Sequence, residues 1–144
     1  MKTYFEIITL TLVVICSCTR LIGQKKKIKS PVEELSISIV KKQLDGYNSR
    51  NIKKFLSQYS DSIKVYSFRK GIDINGKEQM EMVYGNLFES NSSSKRKITN
   101  TIVNGHTVIT NEIITLAKGL TDKVIAIYAI ENEKIQEVHY IGAD

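Results

Sequence analysis

The sequence predicts a single α+β domain in which three N-terminal helices cover one face of a curved antiparallel sheet. Three observations predict it. Apolar residues before Ser90 recur mostly at helical spacing, whereas from Lys97 onward the period falls to two. The links between the late β-rich runs are short, which implies antiparallel neighbours. A chain of 144 residues that is 42% hydrophobic can bury one core and is too short for two. With one Pro and eight Gly, it is neither collagen-like nor a disordered low-complexity chain.

Ser30-Pro31-Val32-Glu33 opens the first helix. Ser30 can cap it, Pro31 suits the first helical position, and Glu33 completes a capping box. Val32, Leu35, Ile39, Val40, Leu44 and Tyr47 then form an apolar face that ends near Tyr47. Asn48-Ser49-Arg50-Asn51 is a turn, and Asn51 can cap a short second helix with Phe55, Leu56 and Tyr59 on its apolar side. Ile63 to Phe68 alternates as a strand does, and Arg69 to Gly76 reads as a loop. Lys77 to Phe88 is a third helix with Met80, Val83, Tyr84, Leu87 and Phe88 on one side. Gly85 inside it points to a close backbone contact. After the polar loop Asn91 to Ser94 come four β-rich runs, Lys97–Val103, His106–Ala117, Lys123–Ile130 and Lys134–Ile141. Asn104-Gly105 signals a type I′ hairpin between the first two. No repeat and no boundary divides residues 31–144.

Residues 1–18 read as an export signal. Lys2 supplies a positive start, and Ile7 to Ile15 is apolar but far short of the roughly 20 residues that span a bilayer. Ile15-Cys16-Ser17-Cys18 has the pattern of a bacterial lipobox, with Cys18 as the lipidated first residue of the mature protein. Residues 19–30 are then a Lys-rich tether, whose cations suit anionic head groups. Cleavage after Gly23 is the other route. Both place the protein outside the cytoplasm: in the cell envelope by a lipid anchor, or in the periplasm or secreted. Both also leave the folded part without a disulfide, a Cys-ligated metal or a cysteine nucleophile.

The net charge of +6 suggests nucleic acid, but its distribution argues against it. Residues 1–30 hold six basic residues against Glu6, whereas residues 31–144 hold 15 basic and 14 acidic ones. The excess sits in a tail and leaves no basic stripe on the fold. Lys95, Arg96 and Lys97 read as a solvated loop end. Nucleic acid is therefore not an expected partner, and membrane contact is expected only through the anchor.

Several motifs in order resemble the nuclear transport factor 2-like superfamily, in the group that includes SnoaL-like and ketosteroid-isomerase-like proteins. They are Gly46-Tyr47-Asn48-Ser49-Arg50-Asn51 with Phe55 and Tyr59, then Asp61 to Val65, Gly76-Lys77-Glu78, Ile127-Tyr128, and Glu133-Lys134-Ile135. The resemblance spans nearly all of Val32–Ile141. It implies an NTF2-like cone: the sheet wraps the first helix and leaves a mostly apolar pocket at the open end. Such pockets serve isomerisation, cyclisation, dehydration or hydrolysis in some members and binding in others, so the fold does not fix the function.

Ketosteroid isomerase chemistry needs a carboxylate base and two oxyanion donors, a Tyr and a protonated acid. By the spacing around Asn48–Asn51 the donor Tyr position falls on Gln43, the base position at the end of the first strand falls near Ser67, and the acid position, two residues before Tyr128, falls on Ala126; none supplies the group. His106 is expected at an exposed hairpin end. Strand alternation sends His139 away from the face that holds Val138 and Tyr140. No spacing suggests a metal site, no Gly-rich phosphate loop appears, and no cofactor is expected. Glu112 is the charge of interest, because it alternates in phase with Val108, Ile114 and Leu116. An inward carboxylate there is a candidate general acid or base, or the partner of a cation such as Arg69 or Lys97. Tyr47, Tyr66, Tyr128 and Tyr140 are expected to line the pocket beside it. The reading is a protein without catalysis that binds a small apolar ligand or a partner protein. The alternative is an isomerase or dehydratase that uses Glu112. A homodimer through Ile109, Ile113 and Ile125 on the outer sheet face is compatible with the first.

Overall fold

The computed structural model describes residues 29–90, 93–116 and 119–142. The stretch expected to be an export signal, Cys18 and most of the expected tether lie outside the described residues. The order is α1 (Pro31–Asn48), α2 (Ile52–Leu56), β1 (Tyr59–Ser67), β2 (Gly71–Asn75), α3 (Lys77–Ser90), β3 (Lys95–Asn104), β4 (Thr107–Thr115), β5 (Thr121–Glu131) and β6 (Lys134–Gly142). The strands form one six-stranded sheet in the order β2-β1-β6-β5-β4-β3.

Helix α1 starts as its sequence dictates. The Ser30 hydroxyl accepts from the Glu33 amide at 3.3 Å, and the Glu33 carboxylate accepts from the Ser30 amide at 2.8 Å. Its buried face keeps Ile39, Val40 and Tyr47 of the expected one but is shifted at its start. Val32 and Leu35 are exposed, whereas Ser36, Ile37, Val40, Gln43 and Tyr47 turn inward. The helix is rotated because polar residues on it have partners in the sheet. Ser36 donates to the Gly105 carbonyl, Gln43 to Tyr128, and Asn48 brackets the Arg96 backbone with one donated and one accepted bond of 2.8 Å. Bonds from one helix to β3, β5 and the β3–β4 turn show that the sheet bends around it. Bulges at Val65/Tyr66, Ile98/Asn100 and Ala129/Ile130 supply the bends.

Four sequence expectations are corrected. Three helices form, but α3 follows the β1–β2 hairpin and is not part of an N-terminal group. Residues 71–75, expected as loop, pair with β1. The sheet is mixed, since β1 and β6 run parallel. No tight turn joins those two strands, so nothing forces them antiparallel. Finally, Gly85 has open space around it. The glycine that permits close approach is Gly46, where a Cβ would lie 2.5 Å from the Phe55 amide nitrogen. That approach seats α2 against α1 and gathers Tyr47, Phe55, Tyr59, Tyr84 and Phe88 into one aromatic cluster, with Phe55 and Tyr84 centroids 4.6 Å apart.

The turns also differ in detail. Gly105-His106 forms the β3–β4 turn, with positive φ at Gly105. It is the β5–β6 turn that has positive φ at both central residues, Asn132 (49°) and Glu133 (58°), as a type I′ hairpin requires.

Candidate functional site

Alternation along β4 sends Val108, Thr110 and Glu112 to the inner face, and that along β5 sends Ala126, Tyr128 and Ile130 there. Glu112 is 1% exposed. Its Oε1 accepts from the Thr110 hydroxyl at 2.7 Å and from the Tyr128 hydroxyl at 2.8 Å. Its Oε2 lies 3.0 Å from Nη2 of Arg96, an ion pair off the hydrogen-bond axis. The chain of polar groups continues inward. Gln43 donates to the Tyr128 oxygen at 3.2 Å and accepts from the Tyr59 hydroxyl at 3.1 Å. All are buried, so each bond replaces one that water would otherwise have to supply.

Burial raises the pKa values of Tyr59 and Tyr128 well above 10, helped by the nearby Tyr140 hydroxyl and Glu112 carboxylate. Burial works against the Arg96 charge, but Tyr140, Tyr128 and Glu112 outweigh it and hold the guanidinium protonated.

Arg96 separates this network from a cavity of about 280 Å³. The rings of Tyr47, Tyr84 and Tyr140 and the side chains of Leu87, Ile114, Leu116 and Val124 wall it, with Ser94 and Arg96 as its polar groups. Leu116 is exposed at its mouth. The Arg96 guanidinium lies 5.1 Å from the Tyr47 ring centroid and 5.0 Å from that of Tyr140, whose hydroxyl accepts from Nη1 at 3.2 Å. A second guanidinium, Arg50, sits 5.6 Å from the Tyr47 centroid and 5.5 Å from that of Phe88. It donates to the Ser94 carbonyl. The Ser94 and Tyr47 hydroxyls are bonded at 2.9 Å.

The sequence-predicted residues therefore separate. Tyr47 and Tyr140 line the cavity. Glu112 and Tyr128 lie behind Arg96, inside the core. Tyr66 does not join them: it is on the outer face, its ring stacked on His139 at 4.5 Å. A bulge follows Val65, but the strand still alternates, with Ile63 and Val65 inward. The cation facing Glu112 is Arg96, and neither Lys97 nor Arg69. His106 is exposed in its turn, and His139 faces away from Tyr140's side. Gln43 and Ala126 are fully buried and Ser67 bonds Asp73 on the surface. Among the described residues no His, Cys, Asp or Glu cluster fit to hold a metal occurs, and no helix is long and apolar enough to cross a membrane. Sequence reasoning missed Arg96, Tyr84 and Ser94. The signal for Arg96 was its parity with Ile98 at the start of β3.

No protein-family model matches the chain, and neither does any curated protein sequence. Solved structures do resemble it. A cystatin-fold protein from Novosphingobium aromaticivorans superposes with a TM-score of 0.68 over 74% of this chain and 97% of its own, at 20% identity. An NTF2-like protein of unknown function from Cytophaga hutchinsonii gives 0.64 over 83% and 95%, at 16% identity. The fold is NTF2-like. An LEH-like epoxide hydrolase from M. tuberculosis also shares this NTF2-like fold, with a TM-score of 0.69 over 78% of this chain and 86% of its own, at 12% identity. At such identities the likeness carries the fold and no activity.

Proposed function

We propose that this NTF2-like domain is an exported binding protein that holds a small, largely apolar ligand between α1, α3 and the inner face of β3–β6. The observation that carries this reading is the cavity itself. At about 280 Å³ it is roughly twice the ~150 Å³ that accommodates one benzene, and aromatic and aliphatic side chains wall it.

Glu112 supports binding over acid–base catalysis. Both of its oxygens are engaged within the fold, and Arg96 stands between it and the cavity. Proton transfer to a ligand would require breaking a buried ion pair, which costs several kcal/mol. The alternative, an isomerase or dehydratase using Glu112, draws its support from the 2.8 Å contact with Tyr128. The neighbour from M. tuberculosis shows that the fold is compatible with hydrolase chemistry.

The test is mass spectrometry of small molecules released on denaturing the purified protein, compared with a Val124→Phe variant that fills the cavity. One recurring apolar compound, lost in the variant, is expected. No compound in several preparations would favour a partner protein instead. For the anchor, fatty-acid labelling should disappear in Cys18→Ala; unchanged labelling would remove the lipoprotein reading.

The outer face supports pairing of two copies. Ile125 is 39% exposed there, and with Ile113 and Ile141 it borders a groove of about 440 Å³. Ile125→Lys should lower the sedimentation coefficient if this face pairs.

A further inference from the structure

We infer that the ligand carries an anionic head group, a carboxylate, read by the guanidinium of Arg96 with its aliphatic or aromatic body among Leu87, Ile114 and Val124. This rests on the binding reading above and deepens it.

Three observations lead there. First, Arg96 is 5% exposed, lines the cavity, and its Nε has no acceptor within the protein. Glu112 and Tyr140 engage only Nη2 and Nη1. A guanidinium is a fork that matches a carboxylate, and a buried charged donor left unanswered is costly. Second, charge around Tyr47 is out of balance. Two guanidiniums, Arg50 and Arg96, converge on its ring, and Glu112 pairs with Arg96 alone. Nε and Nη1 of Arg50 are likewise buried without an acceptor. An anion entering the cavity would restore neutrality where screening by water is weak. Third, apart from Ser94, whose hydroxyl is bonded to Tyr47, the remaining lining is apolar or aromatic, which disfavours a polar sugar or a second charge on the ligand body.

The Arg96–Glu112 pair sets the strength of the head-group site. Glu112 draws off part of the Arg96 charge, so the two carboxylates, one internal and one on the ligand, compete for one cation. Removing the internal charge therefore strengthens the hold on the external one. A purely structural role for the pair predicts the opposite.

The experiment titrates the full-length protein with 3-phenylpropanoate, and separately with its neutral amide, at low ionic strength. Folding of every variant is checked by circular dichroism. The carboxylate is expected to bind at least tenfold tighter than the amide, with the gap shrinking in salt. Glu112→Gln should tighten the carboxylate severalfold and leave the amide unchanged. The double variant Arg96→Met with Glu112→Gln, which removes both charges together, should bring the two ligands to equal affinity. Equal binding of acid and amide to the wild type would overturn the anionic head and leave the apolar cavity standing. Weaker carboxylate binding in Glu112→Gln would also overturn it. If neither probe binds and Val124→Phe changes nothing, the cavity reading fails as well.

Discussion

The polar groups at the two ends of the inner face are treated differently. Deep in the core, Tyr59, Gln43, Tyr128, Thr110 and Glu112 hand hydrogen bonds along a line, and the Glu112 oxygen that takes no hydrogen bond is met by the Arg96 ion pair. At the cavity wall, Arg96, with Arg50 across the Tyr47 ring from it, is held against aromatic rings, yet three nitrogens of the two guanidiniums have no protein acceptor. Burial alone does not separate structural from functional polar residues. What separates them is whether the fold itself completes their bonding. The first set fixes how α1 sits in the sheet. The second keeps donors in reserve beside a space lined with apolar groups.

Glu112 joins the two sets, so removing it should have the largest effect. Glu112→Ala leaves the Arg96 charge buried and unpaired, and should cost about 3–5 kcal/mol in urea unfolding. Removing both charges in the double variant should cost markedly less. A loss below about 1 kcal/mol for Glu112→Ala alone would mean that Arg96 finds water or another partner.

Next comes a matched pair of hydroxyl deletions. Tyr128→Phe removes a donor to Glu112 and an acceptor for Gln43, and should cost about 1–3 kcal/mol. Tyr140→Phe removes the acceptor of Arg96 Nη1 at the wall of the cavity, where water can take its place, and should cost about 1 kcal/mol or less. Equal costs would erase the distinction between core and cavity.

A further effect is expected at alkaline pH. The pKa values of Tyr59, Tyr84 and Tyr128 are raised in the fold, chiefly by burial. Above about pH 10 the unfolded chain gives up these protons while the folded one keeps them, so stability present below that pH is lost as pH rises. Absorbance at 295 nm should therefore show these tyrosines ionising only with loss of the near-ultraviolet dichroism signal. Titration of all seven near pH 10 in a folded protein would contradict their placement.

Much of this arrangement is legible in the residues. The capping box places α1, and period-two alternation points Glu112 and Val108 inward and His139 outward. Arg96 is hidden because it sits between Lys95 and Lys97, where local charge suggests solvent. Only the strand running back to Lys95 gives it the inward parity of Ile98. The face of α1 is hidden for a similar reason. Val32 and Leu35 look like core, but Gln43 and Ser36 have partners more than 60 residues away in sequence, and those partners turn the helix. Tyr66 is misplaced because a Tyr beside an apolar strand face suits either side, and its stacking on His139 depends on the parallel β1–β6 pairing. Long-range pairing of polar groups is the physics that local pattern omits.

The most direct test of the binding claim is a ¹H–¹⁵N correlation spectrum of the protein titrated with 3-phenylpropanoate. The account predicts saturable shifts at the amides of Ser94, Arg96, Ile114 and Val124, together with the Arg96 Nε–H resonance, and none along the outer positions Ile109 and Ile127. Shifts confined to the outer face, or an Arg96 Nε–H signal that does not move at saturation, would contradict it.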